Sequence, residues 1–245
     1  MRNLRFVPNW KSLALISFLF FISNNIASAE VIVYDSVTTS GRTAILKAFT
    51  KGRFFPEGGR RVEFYIGKRH IGTTLSGGDG YALLRYLPIS GGIKHLKVKS
   101  GADSNEGVLL IIEKDERVIL TEIEGSLLEA PFSFQPMKGS KDELKRLSWR
   151  FRIIYLTTMI GVKKARQWIK ENGFPQSAVL RWGGSEMLDE LQAQGIRLYA
   201  IVGSPSVLSE SSGHIKKRFS FKETEEAIVV EDWKDISKRL SSLRP

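Results

Sequence analysis

The run Arg117-Val-Ile-Leu-Thr-Glu-Ile-Glu-Gly-Ser-Leu-Leu128 is where the character of the chain changes. Before it, apolar residues recur with a period of two: Val62, Phe64 and Ile66 alternate with Glu63 and Tyr65, and Leu96 and Val98 with Lys97 and Lys99. Such alternation belongs to strands with one face buried. Turn signals at Gly52, Pro56-Glu-Gly-Gly59, Gly67-Lys68, Gly77-Gly-Asp-Gly80, Gly91-Gly92 and Gly101 cut this part into short strands, the pattern of an antiparallel sandwich. From Arg117 onward, short apolar runs alternate with amphipathic helical stretches. Strands are expected over residues 118–123, 152–157, 178–181, 198–202 and 227–230, and helices over 141–148, 162–172, 185–194 and 233–243. Five strand–helix units imply a parallel sheet. In the second helix Val162, Ala165, Trp168 and Ile169 share one face and Lys163, Lys164, Arg166 and Lys170 the other, with Gly173 as the stop.

The expected architecture therefore has two domains. An all-β immunoglobulin-like sandwich covers residues 30–116, and an α/β Rossmann-like parallel sheet covers 117–245, the two separable in core but closely coupled in orientation. With 245 residues and 42% hydrophobic content the chain is long enough for both cores. It contains no cysteine, which removes disulfides, thiolate metal sites, thiol catalysis and lipid attachment at an N-terminal cysteine.

The first residues read as an export signal. Arg2, Arg5 and Lys11 precede the apolar run from Leu13 to Ile22, and Ala27-Ser28-Ala29 supplies a small-residue cleavage site. The apolar run is about half the roughly 20 residues a spanning helix needs. Cleavage after Ala29 and a periplasmic or secreted product are expected. Beyond that point 34 basic residues stand against 26 acidic ones, a dispersed excess that suits solubility better than nucleic-acid binding.

Two resemblances attach to these halves. The segment from Val62 to Pro88, with strands meeting at Gly67, Ile71-Gly72-Thr73 and the turn Asp79-Gly80-Tyr81-Ala82, resembles bacterial immunoglobulin-like domains. That resemblance implies a spacer or adhesive module. The strand ending Glu122-Ile-Glu124-Gly125-Ser126 resembles the first motif of haloacid dehalogenase-like (HAD-like) phosphatases, in which one carboxylate attacks phosphorus and a second protonates the leaving group beside magnesium. Tyr155-Leu-Thr-Thr-Met-Ile-Gly161 resembles the second motif, and Asn172-Gly-Phe-Pro175 the lipin-type phosphatidate phosphatase branch. The resemblance places Glu122 and Glu124 at the catalytic positions, which would also be the Mg2+ positions, and Thr157, Thr158 and Ser204 at phosphate-binding positions.

This chain departs from that pattern at each motif. Glutamate replaces aspartate and adds a methylene where near-attack geometry tolerates little displacement. No lysine stands near Arg181-Trp-Gly-Gly184, where Arg181 is the available substitute, and Gly203-Ser204 stands where an acid would complete a magnesium site, with Glu210 the nearest acid beyond. The leading expectation is a phosphatase-like protein that has lost catalysis and acts as a binding or interaction module, with a phosphorylated or anionic ligand and an envelope protein or lipid as partners. The alternative is an active magnesium-dependent phosphatase acting on phosphatidate or another envelope phosphoester; a structural or adhesive envelope component is a third class. Thr157, Thr158, Ser204 and Ser206 have a plainer reading as helix N-caps, and Glu122 and Glu124 as solvated acids at a strand end. His70, His95 and His214 show no metal-ligand spacing, and no Gly-x-Ser-x-Gly elbow follows a strand.

Overall fold

The computed structural model describes residues 30–130 and 133–241; the export signal expected over residues 1–29 lies outside them. Eight strands come first: β1 (Glu30–Val33), β2 (Ser36–Thr39), β3 (Ala44–Lys51), β4 (Arg61–Ile66), β5 (Arg69–Leu75), β6 (Tyr81–Tyr86), β7 (Gly92–Ser100) and β8 (Asp103–Ile112). They form a three-stranded sheet, β1-β3-β6, facing a five-stranded one, β2-β8-β7-β4-β5. Leu46, Ala48, Val62, Phe64, Leu96 and Val98 fill the space between them, with no solvent exposure. The sandwich is not wholly antiparallel. The chain leaves one sheet at Val33 and joins the other at Ser36, and that switch makes β2 run parallel to β8.

The second half runs β9 (Arg117–Glu122), a π-helical turn over Ile123–Leu127, α1 (Ser140–Leu147), β10 (Arg152–Thr157), α2 (Val162–Glu171), β11 (Val179–Arg181), α3 (Gly184–Ala193), β12 (Arg197–Val202), α4 (Pro205–Glu210), β13 (Lys217–Ser220), β14 (Ile228–Val229) and α5 (Trp233–Ser241). The strand order is β11-β10-β9-β12-β13-β14, and the ladders are parallel. Two elements escaped the sequence reading. β13 begins Lys217-Arg218 and so shows no apolar run, and α4, opened by Pro205, is too short to show a period. Among the described residues no helix is long and apolar enough to cross a membrane.

The way this sheet is covered corrects the expected fold class. On one face α1, α2 and α5 bury Leu144, Leu147, Trp168, Ile169, Trp233 and Ile236 against Ile119, Ile153 and Tyr155. On the other, α3 and α4 contribute Leu188, Leu191, Val207 and Leu208, and the remainder is closed by Val108, Leu110 and Ile112 of β8, a strand of the sandwich. Leu109 and Ile111 of the same strand point into the sandwich core. One strand therefore serves two cores. A self-contained Rossmann-like (HAD-like) domain closed by its own helices is not what forms. The described residues are mainly β, with 40% strand and 23% helix.

Magnitudes show what holds the seam. Burial of a Val, Leu or Ile side chain is worth about 1.5–3 kcal/mol, so the three residues of β8 dominate. The exposed pair Lys163–Glu30, at 2.6 Å across the same seam, adds about 1 kcal/mol at most. Orientation is fixed separately, by Asp35 at the strand switch. Its side chain is fully buried, and burial pushes its carboxyl pKa up, against the Arg166 charge and the amides that bond it. Oδ1 accepts from Val108 N at 2.6 Å and lies 2.8 Å from an Arg166 terminal nitrogen, while Oδ2 accepts from Val179 N at 2.8 Å. Arg166 also donates to the carbonyls of Glu106, at 2.7 Å, and Val33, at 3.1 Å. Thus β1, β8, α2 and β11 meet at one ion pair. Gly107 leaves room for it: a Cβ there would stand 2.8 Å from Val33 and 3.1 Å from Asp35 Oδ1.

Deleting Asp35 leaves the buried amides of Val108 and Val179 without their acceptor, about 1–3 kcal/mol each, and removes the counter-charge of the partly exposed Arg166. Asp35→Ala is expected to lose that much stability in urea unfolding, whereas Lys163→Ala loses about 1 kcal/mol or less. A loss for Asp35→Ala no larger than that for Lys163→Ala would show that the pair does not anchor the seam.

Candidate functional site

The C-terminal ends of β9, β10 and β12 bring Glu122, Glu124, Thr157, Thr158 and Ser204 together, and what their atoms do decides the chemistry open to them. β9 ends at Glu122, and the chain then makes a π-helical turn in which the Ser126 hydroxyl donates to the Glu122 carbonyl at 2.5 Å. The buried Trp233 indole donates to the Ser126 carbonyl at 2.8 Å and holds the turn from below. Gly125 is required by close approach: a Cβ there would collide with Glu122 Oε2 and the Ser204 amide.

The Glu122 carboxylate ties two loops together. It accepts from Ser204 N at 2.6 Å and from Thr158 Oγ1 at 3.1 Å. Burial pushes its pKa up; the bonds from Ser204 and Thr158 oppose this, and the charge of Glu124 adds to it. Glu124 lies in a nest of backbone amides. Its Oε1 accepts from Thr157 Oγ1 at 2.6 Å, Thr158 N at 3.2 Å, Met159 N at 2.9 Å and Ile160 N at 3.0 Å. Burial alone would raise its pKa, but these donors outweigh it and hold the carboxyl below the ordinary value of 4.5.

Successive amides before a helix are a ready anion-binding site, and here α2 follows them. The internal carboxylate of Glu124 occupies the place an external phosphate would take. Nor do these residues suit magnesium, a hard ion that binds through free carboxylate oxygens in near-octahedral array. Both carboxylates already face N–H and O–H donors. Among the described residues there is no group of three or more His, Asp or Glu able to hold a metal ion. The cluster stitches loops together.

Ser206 is hydrogen-bonded to Ser204 at 3.2 Å and borders the same hollow; the other residues singled out in the sequence lie elsewhere. Glu210 accepts from the Trp182 indole at 3.0 Å. His70 is bonded to Thr73 at 3.0 Å and His214 to Asp189 at 2.9 Å, while His95 borders a hollow with Glu106 and Arg166. Arg181, a candidate for phosphate charge balance, lines a different cavity: a cleft of about 600 Å³ between the sandwich edge and β11, walled by Tyr34, Ile45 and Lys47 on one side and Arg181, Met187 and Glu190 on the other. Lys47 Nζ stands 4.1 Å from the Tyr81 ring centre and 5.3 Å from that of Tyr34. The Tyr34 hydroxyl is pushed up to about 12 by burial and by its hydrogen bond with Tyr81, with the Arg181 charge pulling the other way. No ion pair of Lys47 or Arg181 is present among the described residues.

Sequence reasoning missed this cleft. Tyr34, Ile45 and Lys47 each follow a buried neighbour in the period-two pattern, so their outward direction was legible, but the facing wall comes from a part of the chain more than 130 residues away.

No family model matches the chain, and no curated protein matches it. Among solved structures it is similar to the D00–D0 domain of Intimin, at 12% identity and a TM-score of 0.28, over 35% of this chain and 46% of that one. It is also similar to a CARDB domain from Pyrococcus furiosus (13%, TM-score 0.26, 34% and 92%) and to the tandem Ig repeats of Dlar (13%, TM-score 0.28, 40% and 59%). The chain spans about half the length of the Intimin structures it matches. Likenesses at these scores carry no argument about role. The phosphatase-like and lipin-type resemblance, and with it the expectation of a degenerate phosphatase or an active one, is corrected: no family model and no curated protein supports it. The two glutamates line a hollow of about 410 Å³ together with Ser206 and Lys222, and their oxygens in it are held by the loop amides of Met159, Ile160 and Ser204.

If Glu124 is the internal occupant of an anion nest, Glu124→Ala leaves the amides of residues 158–160 without their acceptor and should cost about 1–3 kcal/mol. Millimolar phosphate or acetate is expected to restore part of the lost melting temperature in this variant and to leave the parent chain unchanged. Because the folded pKa is lowered, the stabilisation by Glu124 is present above about pH 4.5 and is lost as the pH falls through its folded value, so the penalty should shrink in acid. Equal response to phosphate in parent and variant would mean that the nest is not blocked by Glu124.

Proposed function

We propose that the chain is an exported binding module without phosphoester chemistry, which holds an anionic ligand group in the cleft between the sandwich and β11. The observation that carries this reading is the cleft itself, large enough for a small ligand or the end of a larger one. Tyr34 supplies aromatic surface, and Lys47 and Arg181 supply two positive charges without ion-pair partners among the described residues. Glu190 on the far wall limits the preference to ligands whose charge can sit toward Tyr34. Export is supported by the order of basic, apolar and small residues before Glu30. A periplasmic or extracellular setting follows from that signal, and a partner in the envelope, protein or lipid, would carry the anionic group. Nucleic acid is disfavoured by the dispersed charge.

N-terminal sequencing of exported material should begin at Glu30; an intact Met1 in a soluble fraction would contradict export by cleavage. Incubation with an aryl phosphate or phosphatidate and magnesium should give no turnover above blank, and millimolar magnesium no shift in melting temperature. Turnover abolished by Glu122→Gln would defeat the reading. For the cleft, a backbone NMR titration with citrate and with inorganic phosphate is expected to move Tyr34, Lys47, Arg181 and Met187 together, and Arg181→Glu should abolish the shifts. Shifts confined to residues 158–160 and Ser204 would relocate the site, and no saturable shift at all would remove the anion from the reading.

A further inference from the structure

The outer face of the three-stranded sheet is the part of the surface that the fold leaves unexplained. In an antiparallel sheet with one buried face, the other is ordinarily polar. Here the inward residues of β3 are Ala44, Leu46 and Ala48, and the outward ones are Ile45, Lys47, Phe49 and Lys51. Register places Arg85, Leu83 and Tyr81 of β6 opposite Ile45, Lys47 and Phe49, and Ile32 of β1 on the other side of Phe49. Ile45 and Leu83 are more than half exposed. The pattern continues past both ends of the sheet. The loop after β3 folds back through a Gly52–Phe55 hydrogen bond and presents Phe54 and Phe55, 71% and 77% exposed. The loop after β6 presents Ile89, 88% exposed. Eight residues of β3 at about 3.3 Å each put these two tips about 25 Å apart.

The charges on this face are mainly positive, with Glu30, opposite Lys51, as its acid. Lys47, Lys51, Arg53 and Arg85 alternate with the apolar groups. The acids nearby are engaged: Glu30 with Lys163 at 2.6 Å, Glu57 with Arg60 at 3.1 Å, and Asp79 with the Tyr81 amide at 3.0 Å. Two occupants would suit apolar groups interleaved with cations, an acidic protein or an anionic lipid surface. A protein interface concentrates its apolar anchors at the centre and its charges at the rim. Here the most exposed apolar side chains, Phe54, Phe55 and Ile89, stand on loop tips at the two ends instead of at the centre, with Arg53 and Lys51 beside the first tip and Arg85 toward the second. Apolar and aromatic groups dipping into the headgroup layer with cations at the phosphate level is the arrangement that a lipid surface rewards.

We propose that the outer face of the β1-β3-β6 sheet, with the loop tips at Phe54–Phe55 and Ile89, lies on an anionic membrane surface. The proposal stands on this face alone and does not require the cleft ligand, although Lys47 and Ile45 border both. In the exported setting the surface would be that of the cell envelope.

The test is co-sedimentation of the exported chain with vesicles of equal parts phosphatidylglycerol and phosphatidylcholine, and with phosphatidylcholine alone. Partition to the anionic vesicles, lost in high salt, is expected. A cation near such a surface is worth about fivefold in partition, so Lys51→Ser with Arg85→Ser should reduce it about twenty-five-fold. Phe54→Ser with Ile89→Ser should also reduce it, and both pairs, at exposed positions apart from the half-buried Lys51, should keep the parent melting temperature. Arg181→Glu, in the cleft and off this face, should leave partition unchanged. That control separates failure of this proposal from failure of the cleft reading. No partition to anionic vesicles, equal partition to both kinds, or indifference to the face substitutions would overturn it. So would a concentration-dependent dimer abolished by the same substitutions without any vesicle binding, which would make the face an interface between copies.

Discussion

One buried ion pair sets the relation between everything else. Asp35 occupies the two-residue step by which the first strand passes from one sheet of the sandwich to the other, and Arg166 reaches it from the second helix. The carboxylate has more donors than a surface acid collects, and it needs them, since an ionised group taken out of water is stable only when paired and fully hydrogen-bonded. Those donors come from different parts of the fold. The Val108 amide belongs to the shared strand, and the Val179 amide to the edge of the parallel sheet. An edge strand with free amides invites pairing with other chains, and here Asp35 takes one of them. Hydrophobic burial supplies most of the free energy at this seam, but it is indifferent to small sliding. The ion pair is directional, and it fixes where β11 lies against the sandwich and therefore the width of the cleft between them.

Much of the local structure was legible because it follows from short-range periodicity. Residues 152–157 fall where β10 forms, and the stripe of Ala165, Trp168 and Ile169 is the buried face of α2. The joint between the halves was harder, yet it had left a mark. Most strands of the sandwich alternate, but Val108-Leu-Leu-Ile-Ile112 is apolar without interruption, which is how a strand covered on both faces reads. A boundary drawn at Arg117 by change of period cuts just after that strand and gives it to one core. Asp35 carried no such mark: an isolated aspartate between two short strands has the look of a turn residue, and its partners lie 73 to 144 positions away.

The carboxylates at the end of β9 show the difference between locating a cluster and knowing what it does. Resemblance placed Glu122, Glu124, Thr157, Thr158 and Ser204 near one another, and they are near one another. Their chemistry depends on hydrogen-bond directions that residue types do not reveal. A longer acidic side chain at position 124 reaches the amides of residues 158–160 and fills the nest from inside. Glu122, two residues earlier, bonds Ser204 and Thr158 instead. The two glutamates differ accordingly: desolvation governs Glu122, donated hydrogen bonds govern Glu124, and the pKa values move apart. Divergent carboxyls in contact are often the mark of an acid and a base at work. Here the divergence has a structural cause, because every donor that creates it also joins one loop to another.

The surface features that remain have a common origin in the strand switch. Because β1 ends at Val33 and β2 begins at Ser36, Tyr34 is turned out of both sheets and stands beside Lys47, where the outer face of the small sheet meets the cleft. The same step sends Asp35 inward to Arg166. Two adjacent residues thus divide the work, one fixing the orientation of the sandwich and the other marking the edge of an exposed aromatic and cationic surface. Lys47, held over two tyrosine rings, keeps its charge at this border instead of extending into solvent. A ligand in the cleft and a surface under the sheet would therefore meet at Lys47.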